Sequence, residues 1–186
     1  MRFFIALELA EKNKEEIRAL QEKLGIALPQ VKLTDYKKLH FTIAFIGEHR
    51  DDIKEPLAQI INQATENIHP FAITPSFLDG FPRLHEPHTL FLGVKGDVDQ
   101  LFFLQERIKD GLMKLHLEVD NRRFVPHIAV AKLFDSTLSL AKEEELEQLV
   151  ISSNLSPIEV GSVKLFESVA DEGTHIHNLL AEIRLI

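Results

Sequence analysis

The chain repeats its own layout at an interval of 87 residues, and this constrains its fold more than any local pattern does. Phe3 precedes His40 by 37 residues, and Leu90 precedes His127 by the same distance. Pro157 follows Pro70 by 87, and a helix expected over 52–67 shifts onto another over 139–154. Two copies, about 2–80 and 89–167, therefore share one order of elements within a single bilobal domain, 1–186. A last strand, 175–186, stands outside the repeat.

Hydrophobic periodicity supplies the elements. Residues 2–9 read as a buried strand, and Glu11 to Leu24 as a helix whose stripe is Ile17, Leu20 and Leu24, with Gly25 ending it. A short strand at 31–33 and a turn at 35–38 lead into the strand His40 to Ile46, closed by Gly47. Asp51 or Asp52 is expected to cap the next helix, with Pro56 in its first turn, before a strand from Phe71. The second copy follows the same order: a strand at 89–94, a helix at 98–115 and a strand at 127–131. An acidic helix at 139–152 and a strand opened by Pro157 complete it.

Composition narrows the chemistry. The absence of cysteine removes disulfides, thiolate metal sites and a cysteine nucleophile, leaving histidines and carboxylates to act. A net charge of −8 argues against broad adhesion to nucleic acid, while permitting a locally positive site for one phosphate. No apolar run approaches the roughly 18 residues of a membrane span, and the N-terminal run ends in a charged segment without a cleavage site. A cytoplasmic monomer with no membrane contact is the expectation.

Two histidines at matching repeat positions carry the functional reading. His40 and Thr42 fall on one face of their strand, with Phe41 and Ile43 on the other, and His127 opens the corresponding strand. Regular alternation assigns Phe45 to the core. If the copies are related by a pseudo-twofold axis, His40 and His127 meet across a groove. Two imidazoles there can divide one acid/base task at neutral pH, one accepting a proton and the other donating it. In-line attack on phosphorus needs that division, and a Thr42 hydroxyl can donate to a phosphate oxygen. Lys132 adds positive charge, in a direction that alternation leaves open. Arg122 and Arg123 read as solvated loop residues. His85 with His88, and His175 with His177, have the spacing of metal-ligand pairs but no carboxylate partner, so neither a metal nor any other cofactor is expected.

The segments His40 to Gly47 and Phe124-Val125-Pro126-His127-Ile128 resemble the two motifs of the two-histidine phosphoesterases, specifically the RNA 2′,3′-cyclic phosphodiesterases once called 2′-5′ RNA ligases. The opening Arg2 to Leu7, the 90–94 strand and Glu167-Ser168 with Gly173 and Leu179-Leu180 extend the resemblance over nearly the whole chain. It implies an α+β bilobal fold, with two antiparallel sheets around a central groove, helices outside and a pseudo-twofold internal duplication. It further implies metal-independent opening of RNA 2′,3′-cyclic phosphate ends, or of small cyclic nucleotides, to 2′-phosphomonoesters, with weak 2′-5′ joining in reverse. His40 would be the proton donor and His127 the proton acceptor, with Thr42 and Lys132 binding substrate. The second motif of the family is His-x-Thr, and this chain has Ala129 at the threonine position. Ser168 and Thr174 are candidate replacement donors. The alternative that Ala129 raises is a degenerate, non-catalytic binder of nucleotides or RNA ends.

Overall fold

The computed structural model describes residues 1–186. Its main elements are β1 (Arg2–Glu8), α1 (Glu11–Ala27), β2 (Lys32–Leu33), β3 (His40–Glu48), α2 (Lys54–Thr65), β4 (Phe71–Phe81), β5 (Thr89–Gly96), α3 (Val98–Lys114), β6 (Ile128–Lys132), α4 (Leu140–Ser153), β7 (Ile158–Val160), β8 (Ser162–Asp171) and β9 (Thr174–Arg184). Two antiparallel sheets result, one ordered β3-β1-β8-β9 and the other β2-β6-β5-β4-β7. The architecture is α+β, and no helix is long and apolar enough to cross a membrane.

Strands 87 residues apart occupy matching places, but each sheet mixes the two halves of the chain. β3-β1-β8 in one sheet corresponds to β6-β5-β4 in the other, so β4 pairs with β5 of the later half, and β8 pairs with β1 of the earlier half. The helices follow suit. α2 packs on β8 and β9 and against α3, which reaches β3; α4 packs on β4 and against α1, which reaches β6. A continuous cluster of 40 buried apolar residues joins these layers, including the expected stripes Ile17, Leu20, Leu24 of α1 and Leu101, Leu104, Ile108, Leu112 of α3.

Helix α1 does not stop at Gly25 as expected but runs to Ala27. Its end is made by the Leu28 N–H, which donates to the Leu24 carbonyl at 2.8 Å. Neither Asp51 nor Asp52 caps α2 through its side chain; a 3₁₀ turn, Asp51–Ile53, leads into the helix instead.

The larger departures from regular alternation are bulges in the motif strands. In β3, Ile5 faces Ala44 while Ala6 faces Thr42, and Phe3 faces Gly47 while Phe4 faces Phe45, leaving Ile43 and Ile46 as extra residues. Each extra residue reverses the alternation of those beyond it. Phe45 is therefore not core: it lies on the face shared by Thr42 and Phe4, and is 68 % exposed. In β6 the extra residue is Val130, since Leu90 faces Ala131 and Phe91 faces Ala129. The Val130 carbonyl accepts from the Thr34 N–H at 2.9 Å and from Gln21 Nε2 at 2.8 Å, so α1 and the end of β2 hold the irregularity in place.

Candidate active site

Both histidines stand at the mouths of their strands and are fixed by one device. His40 Nδ1 lies 2.7 Å from the Lys38 carbonyl, and His127 Nδ1 lies 2.7 Å from the Val125 carbonyl. A carbonyl only accepts, so each Nδ1 carries the hydrogen and each Nε2 is left as the atom that gains or loses a proton. Lys38 and Val125 are themselves 87 residues apart, so the repeat sets the tautomer as well as the position.

Each imidazole also rests on a stacked pair of phenylalanines. Phe4 stacks on Phe166 with centroids 5.2 Å apart and lies 5.1 Å from the His40 ring. Across the groove, Phe81 stacks on Phe91 at 4.3 Å, and His127 meets Phe81 edge-on at 4.9 Å and Phe91 at 5.4 Å. These apolar surroundings disfavour the charged form. Burial is the largest cause holding His40 below the usual 6.5; its bond to the Lys38 carbonyl opposes this, while the charges of His127 and Lys14 reinforce it. Burial also lowers His127 against the opposing effect of its own carbonyl bond. Glu8, opposite His40 in the ladder, gives no counter-charge to the ring and is ion-paired with Lys164 instead.

A third imidazole lies beside the first. His177 of β9 is 5.4 Å edge-on from His40 and 4.9 Å from Phe4. Burial, followed by the charges of His40, Lys38 and His175, pushes it down to about 4. It is therefore neutral at neutral pH. For all three rings the unfolded chain binds protons more readily than the folded one. Their contribution to stability is thus full above pH 6.5 and is lost as pH falls, for His177 down to about 4.

The other sequence candidates are distributed unevenly. Thr42 and His127 line one cavity of about 600 Å³, together with Phe45, Phe81, Lys109 of α3 and Arg123. Lys132 comes to the groove face of β6, because the Val130 bulge puts it opposite Thr89 on the face of Ala129 and Phe91, but it lies beyond the cavity lining. Ala129 faces Phe91 and offers no hydroxyl. Ser168 Oγ is instead 3.3 Å from His175 Nδ1, and Thr174 Oγ1 accepts from Lys38 Nζ at 2.5 Å. His175 is thus engaged by Ser168 while His177 packs against Phe4 and His40, and no group of three His, Asp or Glu side chains suited to a metal ion forms. Arg122 and Arg123 are loop residues that both line the cavity; Arg122 is tied to Asp120 and Arg123 is not. The phenylalanine beds were missed because Phe4 and Phe91 sit inside wholly apolar runs. Their separation of 87 was the available signal.

Known proteins are similar to this chain in sequence and in fold. An RNA 2′,3′-cyclic phosphodiesterase of Methanocaldococcus jannaschii is 26 % identical over 184 residues, spanning 98 % of this chain and 99 % of that one. One of Thermotoga maritima is 24 % identical over 184 residues, spanning 98 % and 94 %. Among solved structures, a Thermus thermophilus protein superposes with a TM-score of 0.79 at 18 % identity, over 100 % of this chain and 98 % of that one. Escherichia coli LigT complexed with 3′-AMP gives 0.74 at 20 % identity, over 99 % and 97 %. At such identities the superpositions establish the two-sheet fold. The family model of the 2′-5′ RNA ligase superfamily matches residues 35–166, a span that takes in both histidines, strand β3 and most of the five-stranded sheet. This chain belongs to that superfamily.

Proposed function

We propose that the protein is a metal-independent hydrolase of RNA 2′,3′-cyclic phosphate ends that yields 2′-phosphomonoesters. The observation that carries this reading is the matched pair of imidazoles, each with Nδ1–H bound to the carbonyl two residues before it and Nε2 free to titrate. The names of the relatives, RNA 2′,3′-cyclic phosphodiesterase, support it.

In the proposed reaction His127 Nε2 takes a proton from water as the oxygen attacks phosphorus, and a new P–O bond forms. The bond from phosphorus to the 3′ oxygen breaks in line, and protonated His40 delivers its Nε2 proton to that oxygen. Thr42 donates to a non-bridging oxygen as charge develops there. Low imidazole pKa values suit both tasks, since a buried cationic His40 is a strong acid and a neutral His127 is available as base. With a 5′-hydroxyl in place of water, His127 would take its proton as the 5′ oxygen attacks phosphorus, the bond to the 3′ oxygen would break with a proton from His40, and a 2′-5′ linkage would result; return of that linkage to the cyclic end is the reverse of this joining. The test is turnover of a short RNA ending in a 2′,3′-cyclic phosphate with EDTA present. A 2′-phosphate product is expected, and a 3′-phosphate product or loss of turnover with EDTA would refute the scheme.

Ala129 supports a second reading, that of a binder with little turnover, because a preorganised donor can contribute roughly 10²–10³ in rate. Restoring the hydroxyl discriminates the two. Ala129→Thr is expected to raise kcat by about tenfold or more, since it restores one such donor. An unchanged or reduced kcat would mean that the phosphate oxygens are already served by other groups.

A further inference from the structure

Helix α3 and the loop before β6 bring an unequal set of charges to the cavity. Lys109, Arg122 and Arg123 line it with one carboxylate, Asp120, so this part of a chain carrying −8 overall has a local excess of two positive charges. Asp120 is committed to Arg122: its Oδ1 accepts from the Arg122 N–H at 2.9 Å, and its two oxygens accept from Nε at 3.0 and 3.1 Å and from Nη2 at 2.7 Å. That grip holds the carboxyl down at about 2, so it stays ionised and bound to Arg122 throughout the working range. Arg123 and Lys109 have no carboxylate within 4.0 Å. The protein thus neutralises one arginine of an adjacent pair and leaves the next facing the same cavity as His127 and Thr42.

Arg123 precedes His127 by four residues in a segment without helix or strand, so their backbones lie within about 14 Å at full extension. Because both residues line one cavity, the guanidinium is available to a second anionic group on a substrate whose first is held beside His127 and Thr42. Guanidinium is suited to phosphate because its fork of N–H donors matches two phosphate oxygens.

We propose that Arg123, assisted by Lys109, binds the internucleotide phosphate next to the cyclic end, so that the substrate class is RNA of two or more nucleotides in preference to a cyclic mononucleotide. This rests on the hydrolase reading above.

The test compares kcat/KM for three probes: a cyclic mononucleotide, a dinucleotide with the same cyclic end, and that dinucleotide with an uncharged methylphosphonate linkage. The native enzyme is expected to favour the ordinary dinucleotide about tenfold over both others, the gain of one charge-assisted contact. Arg123→Glu should bring the dinucleotide-to-mononucleotide ratio close to one and abolish discrimination between the two linkages, while Arg123→Lys should keep part of it. A ratio unchanged by Arg123→Glu, or a preference that persists with the uncharged linkage, would overturn the proposal while leaving the hydrolase reading intact. Failure of the native enzyme to hydrolyse any of the three would overturn both.

Discussion

His40→Ala and His127→Ala are each expected to lower turnover of a cyclic phosphate end by roughly 10²–10⁴-fold, the usual worth of a positioned general acid or base. Neither should unfold the protein, since each ring is only partly buried and makes one hydrogen bond to a nearby carbonyl. Far-ultraviolet circular dichroism and thermal melting check that point beside the kinetics. The double variant should be little worse than either single one, because acid and base act in the same step. With both free-enzyme pKa values below 6.5, the maximum of kcat/KM against pH is expected on the acid side of that value, falling above it as the acid loses its proton. A maximum above pH 7, or an alanine variant that loses activity only in step with its folded fraction, would contradict the assignment.

One residue along the same strand, Phe41→Ala should have the opposite character. Phe41 is wholly buried on the helix-facing side of β3, opposite Leu7. Removing so large a ring from a packed core costs about 3–5 kcal/mol, a large share of the roughly 5–15 kcal/mol that stabilises a typical domain. Urea unfolding is expected to show a sharply lower midpoint, with a near-native rate per folded molecule below it. A loss under about 1 kcal/mol would mean that the core closes over the gap. His40 and Phe41 together thus separate the chemical face of the strand from its structural one.

The order of elements and the place of both histidines were legible because they follow from spacing and periodicity, which act locally and repeat. What alternation could not supply was the direction of residues beyond a bulge. Phe45 lies past an extra residue, Ile43, and so stands on the opposite face from that implied by regular counting, while the Val130 bulge sets the direction of Lys132 that alternation left open. The Val130 irregularity is held by Gln21 and Thr34, both distant in sequence, and no local pattern encodes such a contact. His177 was legible only as half of a possible ligand pair. Its approach to His40 depends on β9 pairing with β8 and on the twist of the sheet, both tertiary facts. Arg122 and Arg123 look alike in sequence, and they differ because Asp120 can close a turn onto only one of them.

The mixing of early and late strands within each sheet has a consequence for how the protein comes into being. Arg2 pairs with Ser168, so the sheet that carries His40 cannot close until nearly the whole chain has been made. The sheet that carries His127 likewise borrows β4 from the opposite half. Contacts this distant in sequence make for slow folding, because the entropy of closing long loops must be met before the pairing compensates for it. They also tie the two halves of the chain together, since each sheet is built from strands of both halves. Neither half of the chain alone can therefore complete the sheet that carries its own histidine.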